Sequence, residues 1–126
     1  MSGSTEKPDR SGRLRAAILW LSCMLAAIIC VLTLGQAMPS SAPGGFDKLY
    51  HFIAFAGLVL PAALFDRRDL TWIAIAAFFL GLGIEILQPY VGRSREWADL
   101  AADAGGIVFA VLVGRAWQRK RQDRHR

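Results

Sequence analysis

The stretch AAILWLSCMLAAIICVLTL, residues 16–34, decides the fold class of this chain. It contains no charged side chain, and the uncharged sequence continues as far as Phe46. A helix that crosses a bilayer needs about 20 consecutive, mostly apolar residues. We therefore predict a membrane-spanning helix over about residues 14–36. A cleavable signal peptide is the alternative, but the apolar core of such a signal usually covers only about 7–15 residues.

Three further apolar segments follow the first, at about residues 47–65, 70–88 and 97–118. The charged residues Asp66–Asp69 form a predicted tight turn between two of them. Pro89 ends the third, because proline disfavours helix in the residue before it. The sequence thus predicts an all-α, four-transmembrane-helix bundle over residues 13–118. A flexible tail is expected over residues 1–12 and a basic tail over residues 119–126.

The 15 lysines and arginines are distributed unevenly around these segments. With four spans, the two tails and the Asp66–Asp69 turn lie on one side of the membrane and carry 12 of them. The other side has only Lys48, Arg93 and Arg95. Because cytoplasmic loops carry an excess of basic residues, we predict that both termini are cytoplasmic. Short basic clusters beside apolar segments also argue against nucleic-acid binding.

Polar residues recur as pairs at the predicted outer ends of the helices: Asp47 with His51, Glu85 with Gln88, and Asp99 with Asp103. Residues three or four positions apart share one helix face. Arg93 and Arg95 lie in the outer loop that joins two of these helices. Ionisable groups inside a membrane are costly unless they are paired or hydrated, so a shared site is the expected arrangement.

These residues also have structural interpretations, which the sequence leaves open. Asp47 could cap its helix, Gln88 could satisfy carbonyls at a helix end, and Asp99 could pair with Arg95. Glu85 is the hardest to explain this way, because apolar residues surround it. The predicted binding residues are Asp47, His51, Glu85, Gln88, Arg93, Asp99 and Asp103. The candidate catalytic residues among them are His51, Glu85 and Asp99.

We assign no metal and no cofactor from the sequence, because no tight ligand-spacing motif is present. Oxygen and imidazole ligands can nevertheless hold a divalent cation. A cation bound by His51 together with Asp47, Glu85, Asp99 and Asp103 is therefore the less favoured alternative.

The polar motifs resemble, in order and spacing, those of the VanZ-like membrane protein family. That family's pattern is D-K-x-x-H-F, then E-x-x-Q, then R-S, then D-x-x-x-N-x-x-G. The matching stretches here are Asp47 to Phe52, Glu85 to Gln88, Arg93-Ser94 and Asp99 to Gly106. Asp103 stands where the family often has asparagine. The resemblance implies a multi-pass protein of the bacterial cytoplasmic membrane. It also implies a possible link to resistance to the glycopeptide teicoplanin, with which the member that gave the family its name is associated.

Two functions from different classes follow from these residues. In the first, the outer polar residues bind an anionic lipid headgroup, an envelope precursor, a second copy of the chain or another membrane protein. In the second, the chain is a membrane-embedded hydrolase or transferase acting on an envelope lipid. His51 would then be a general acid or base, oriented by Asp47 or Asp99, with Glu85 as a second acid-base group and Arg93 holding an anionic group. An ion pathway is less favoured, because no charge continues to the membrane midplane.

Overall fold

The computed structural model describes residues 9–35 and 46–124, and this part of the chain is all-helical. All four long helices are long and apolar enough to cross a membrane, which confirms the predicted fold class. The helices are α1 (Arg10–Leu34), α2 (Phe46–Phe65), α3 (Leu70–Leu87) and α4 (Trp97–Asp123).

The first helix begins earlier than the sequence suggested, within the predicted flexible tail. Asp9 is its N-cap, and the Asp9 carboxylate accepts a hydrogen bond from the Ser11 backbone N at 3.1 Å. Such a cap satisfies one of the free N–H groups of the first turn, so the helix extends to Arg10. The predicted end of this segment at Gln36 lies outside the described residues.

The last helix also exceeds its predicted length and continues through the basic segment to Asp123. Arginine, lysine and glutamine are strong helix formers, so a basic composition does not by itself end a helix. Gln118 additionally ties this region to α2, because its Nε2 donates to the Ala63 carbonyl at 2.8 Å.

Helix α3 ends at Leu87, one residue before the end that was predicted from Pro89. The backbone then tightens into a 3₁₀ turn over Gln88–Val91. Gly92 follows with φ 81°, a left-handed conformation that glycine adopts at little cost. This turn occupies the start of the predicted loop and directs the chain towards Arg93.

The second and fourth helices form the closest pair, although α3 separates them in the sequence. A Cβ atom added at Gly106 would collide with the Phe52 carbonyl and lie 3.0 Å from the Ala56 backbone N. One added at Gly114 would lie 2.5 Å from the Ala63 Cβ. The small residues along α4 therefore permit close approach of the two backbones.

The core lies around α2, and the other helices complete it. Phe55 and Val59 of α2 are fully buried and belong to one cluster with Ile29 of α1, Ile84 of α3 and Ala110 of α4. Large apolar side chains also cover the outside of the bundle, including Trp20, Phe79 and Leu112. An apolar exterior of this kind is consistent with contact to the lipid bilayer.

At the end of the bundle where α1 begins and α4 ends, α1 is tied to the turn between α2 and α3. Arg15 Nη2 donates to Asp69 Oδ1 at 2.9 Å, and Arg15 Nε donates to the other oxygen of the same carboxylate. This bidentate contact lowers the pKa of Asp69 below its ordinary value of 3.8. Within the same turn, Asp66 accepts a hydrogen bond from the Arg68 backbone N at 3.0 Å.

Candidate functional site

A polar cluster lies at the opposite end of the bundle, where α2 begins, α3 ends and α4 begins. Five of its side chains belong to residues with at most 4% of their surface exposed, which is unusual for ionisable and amide groups. The cluster consists of Asp47, Lys48, His51, Glu85, Gln88, Arg93, Asp99 and Asp103.

His51 is the centre of the cluster. Its Nδ1 lies 2.8 Å from Asp103 Oδ1, a buried hydrogen bond between α2 and α4. An ionised carboxylate only accepts hydrogen bonds, so with Asp103 ionised the proton is on Nδ1. The lone pair of the neutral ring is then on Nε2, which lies 3.8 Å from Asp99 Oδ2. Asp103 thus fixes both the orientation and the tautomer of the imidazole.

Asp103 is held by α3 as well as by His51. A Cβ atom added at Gly81 would lie 2.6 Å from Asp103 Oδ2, so a side chain there would have to displace this carboxylate. The same oxygen has no hydrogen-bond partner among the described residues. Gly81 therefore contributes to the shape of the site.

Asp99 is 2% exposed and accepts no hydrogen bond through its side chain from any described residue. Its nearest cation is Lys48, whose Nζ lies 3.7 Å from Asp99 Oδ1. Lys48 is half-exposed and makes its shorter contact with Glu96 Oε2, at 3.0 Å. The predicted alternative of a pair between Asp99 and Arg95 is not what the structure has, because the Arg95 guanidinium lies over the Trp97 ring.

Asp47 and Arg93 border a cavity that opens between α1 and α2. Arg93 Nη2 lies 3.9 Å from Asp47 Oδ1, and Arg93 Nη1 has no hydrogen-bond partner among the described residues. His51 and Tyr50 also line the cavity, whose remaining wall is mostly apolar. Its volume of about 50 Å³ exceeds what a single water requires.

Glu85 is fully buried but does not line this cavity. Its Oε2 accepts a hydrogen bond from the Glu96 backbone N at 2.9 Å, and its carbonyl accepts from Arg95 Nε at 3.2 Å. Glu85 therefore ties the loop before α4 to the end of α3. Gln88, 1% exposed, supports the same loop through its backbone carbonyl, which accepts from the Arg93 backbone N at 3.0 Å.

The arrangement separates the predicted residues into two groups. Asp47, His51, Arg93, Asp99 and Asp103 lie close together around the cavity and the imidazole. The second group is Glu85 and Gln88, which hold the loop that positions Arg93. Asp47 is inside the first turn of α2, which begins one residue before it.

Lys48 within the cluster, and Gly81 and Glu96 in contact with it, were not among the predicted site residues. Lys48 Nζ lies 3.0 Å from Glu96 Oε2. Their contact joins α2 to the start of α4 across 48 positions of sequence, at the level of Asp99. The only sequence feature that could have indicated this contact is that both residues are charged and are assigned to the same membrane level.

The fold and the site together define a multi-pass membrane protein with a buried polar cluster at one end of its helices. The model of the VanZ/LLP1 family matches residues 12–118, so the chain belongs to that family. The similarity searches returned no significant match to a curated protein or to a solved structure. Family membership confirms the resemblance that the polar motifs indicated.

Proposed function

We propose that this chain lies in the bacterial cytoplasmic membrane and binds an anionic envelope lipid or lipid-linked precursor through its polar cluster. Both termini are cytoplasmic in this proposal, and the cluster is at the outer membrane level. The orientation is supported by the small number of basic residues at the cluster end, which are Lys48, Arg93 and Arg95.

The observation that carries the proposal is the environment of Arg93. Its side chain is only 12% exposed, yet Nη1 has no hydrogen-bond partner in the described part of the chain. Its nearest carboxylate, on Asp47, is 3.9 Å away, which is beyond hydrogen-bond distance. A buried cation without full pairing is costly, and an arginine fork fits a phosphate group well.

The apolar wall of the cavity beside Arg93 favours an amphipathic ligand rather than a free anion. Ile29 and Leu32 of α1 and Ala54 and Phe55 of α2 supply its apolar wall. At about 50 Å³ the cavity is too small to enclose an acyl or polyprenyl chain, since ligand pockets usually measure about 300–1,000 Å³. In this proposal the chain lies along the mouth of the cavity against the apolar wall, while a phosphate at the polar end contacts the guanidinium.

Binding is tested with the full chain in nanodiscs, using fluorescent phosphatidylglycerol, a polyprenyl phosphate and zwitterionic phosphatidylcholine as probes. We expect one or both anionic probes to bind better than phosphatidylcholine, and Arg93→Ala to weaken that binding about tenfold or more. The matched control is Arg67→Ala, which removes an exposed arginine at the opposite end of the bundle and should leave affinity unchanged. Equal binding by the wild type and Arg93→Ala would contradict the proposal.

Orientation is tested separately with reporter enzymes at the C-terminus. Alkaline phosphatase, which is active only outside the cytoplasm, should be inactive in this fusion, and a cytoplasmic fluorescent reporter should be active. The opposite pattern would place the polar cluster on the cytoplasmic side.

A second candidate function, a hydrolase or transferase acting on an envelope lipid, is favoured by the contact between His51 and Asp103. A buried carboxylate on Nδ1 leaves Nε2 available as a proton acceptor beside the cavity, as general base catalysis requires. Glu85 does not line the cavity, and its Oε2 accepts from the Glu96 backbone N, so His51 is the acid-base group of this candidate mechanism. Turnover of labelled envelope lipids that is lost in His51→Ala would establish this function; turnover unchanged in that variant would remove the proposed base.

The link to teicoplanin resistance forms the last part of the proposal. Expression of the wild-type chain in a teicoplanin-susceptible bacterium should raise the inhibitory concentration of the drug. Arg93→Ala, expressed at the same level, should not raise it. An unchanged inhibitory concentration with the wild type would remove this part and leave the lipid-binding proposal to its own test.

A further inference from the structure

The geometry points to a site for a divalent transition-metal ion, such as Zn²⁺ or Mn²⁺, formed by Asp47 and His51 of α2 and Asp99 of α4. One donor atom from each of the three residues lies within 4.8 Å of the others. Donors bound tetrahedrally to one ion at about 2.0–2.2 Å lie about 3.3–3.6 Å apart, so the three side chains must close by roughly 1 Å to share an ion. This inference does not rest on the proposed lipid ligand.

The ligand types favour a transition metal over Mg²⁺ or Ca²⁺. Magnesium and calcium prefer sites made of oxygen atoms alone, whereas imidazole with carboxylates suits Zn²⁺ and Mn²⁺. Asp47 and His51 are four positions apart and therefore lie on one face of α2. Three protein ligands also leave coordination positions open towards the cavity, as in metal sites that bind a further group.

The contact between Asp103 and His51 is the second-shell arrangement that a metal-binding histidine requires. Histidine ligands almost always donate their other ring N–H to a carboxylate, a carbonyl or a water. Here His51 Nδ1 lies 2.8 Å from Asp103 Oδ1, and Nε2 lies 3.8 Å from Asp99 Oδ2. With Asp103 ionised, the imidazole has the tautomer and orientation needed for a ligand.

The carboxylate of Asp99 is the independent observation that points to a cation. In the described part of the chain, its buried Oδ1 accepts no hydrogen bond and has only the distant ammonium of Lys48, 3.7 Å away, as a positive neighbour. The residue is 2% exposed, and Oδ1 is enclosed without a hydrogen-bond partner among residues 9–35 and 46–124. Burial of a carboxylate without such a partner costs several kcal/mol unless a cation compensates it.

Two basic side chains face the proposed site and must be accounted for. Lys48 Nζ lies 3.7 Å from Asp99 Oδ1, and Arg93 Nη2 lies 3.9 Å from Asp47 Oδ1. Both distances exceed a hydrogen bond, so neither cation occupies a carboxylate lone pair. Lys48 has an alternative partner in Glu96 at 3.0 Å, to which it can remain bound when an ion enters.

The test is Zn²⁺ binding by untagged, chelator-stripped full-length protein in detergent, measured by calorimetry and by metal analysis after dialysis. All proteins carry His125→Ala, which removes the only other imidazole of the chain. We expect one Zn²⁺ per chain and a loss of at least tenfold in affinity for His51→Ala and for Asp99→Asn. The control Asp123→Asn, which removes an exposed acid at the opposite end of the bundle, should bind as the parent does.

Asp103→Asn supplies a further distinction, because it keeps an acceptor for His51 Nδ1 but removes the charge. Its Zn²⁺ affinity should fall by about tenfold, with retained stoichiometry, as for other second-shell changes. Helical circular dichroism and monodisperse elution show which variants are folded. If His51→Ala or Asp99→Asn does not fold, Asp47→Asn changes the more exposed carboxylate and decides the question. No stoichiometric Zn²⁺ in the parent, or equal affinity in the folded ligand variants, would overturn the site.

Discussion

Asp103 and Glu85 are both carboxylates without exposed surface, but their partners differ in kind. Asp103 contacts a titratable side chain, His51, whereas Glu85 contacts the backbone N–H of Glu96. The contact of Asp103 with the imidazole determines the tautomer of His51. The contact of Glu85 with the backbone amide of Glu96 fixes the position of the loop before α4. Removal of either carboxylate should therefore have a distinct and measurable effect.

Substitution of Asp103 should separate the hydrogen bond from the charge. Asp103→Ala leaves His51 Nδ1 buried without an acceptor, and we expect a loss of about 1–3 kcal/mol in the free energy of unfolding. Asp103→Asn retains an acceptor oxygen and should lose much less. Denaturant unfolding in micelles, followed by circular dichroism, measures both. If both variants lose the same free energy of unfolding, the hydrogen bond to His51 Nδ1 does not account for the loss.

Substitution of Glu85 should act on the loop before α4. Glu85→Ala removes the acceptor of the Glu96 N–H, so we expect faster hydrogen exchange at that amide and at Arg95. Glu85→Gln keeps an oxygen that can accept and should preserve most of the protection. Exchange at Phe55, in the core of α2, serves as the internal control. Unchanged protection at Glu96 in Glu85→Ala would show that the loop is held by other contacts.

At the scale of elements, the α2–α4 interface depends on the absence of side chains at its closest points. A methyl group at Gly106 must displace the backbone of α2, and such overpacking typically costs about 1–3 kcal/mol. Gly83→Ala is the matched control, because nothing lies within 4 Å of a Cβ atom there. Alanine in an open helical position should stabilise by about 0.5–1 kcal/mol, so the two substitutions should have opposite signs in thermal unfolding.

The attachment of α1 should depend on pH through Asp69. Its pKa is lowered in the folded protein, so ionised Asp69 stabilises the fold above its ordinary value of 3.8. This contribution is lost as the pH falls through the lowered value, because the unfolded chain then binds the proton more readily. Asp69→Asn should lower the melting temperature modestly at neutral pH and have progressively less effect in acid.

A double-mutant cycle tests whether Asp69 stabilises the fold through Arg15. Arg15→Ala should cause a similar loss at neutral pH, and the double variant with Asp69→Asn should lose little more than either single change. Additive losses at neutral pH would show that the two side chains act independently. The contact is exposed, so high salt should also reduce the difference between wild type and variants.

At the scale of the whole molecule, the helices were predictable because a long uncharged run has few alternatives to a membrane span. The helix ends were less predictable. A basic segment such as residues 119–123 can form either a flexible tail or the end of a helix. At the other end of the chain, only the Asp9 cap indicates that α1 begins at Arg10. The pairs of polar residues were also predictable, because residues four apart share a helix face whatever the tertiary fold.

The neighbours of each polar residue were not predictable, because sequence spacing does not reveal which helices pack together. His51 binds Asp103 only because α2 lies against α4 at Gly106. Glu85 was expected at the centre of the site, and its depth in an apolar segment is real. Its hydrogen bond goes to the Glu96 backbone, however, and backbone partners leave no trace in side-chain patterns.

The pairing of α2 with α4 also determines when the site can form during synthesis. The ribosome delivers Asp47 and His51 to the membrane well before Asp99 and Asp103, with the whole of α3 in between. Until α4 is inserted, the imidazole has no carboxylate on Nδ1, and the glycine surface that receives the α2 backbone does not yet exist. The nascent protein must therefore keep the polar end of α2 in a sheltered or hydrated environment until α4 arrives. The polar cluster is complete only when α4 has been translated and inserted.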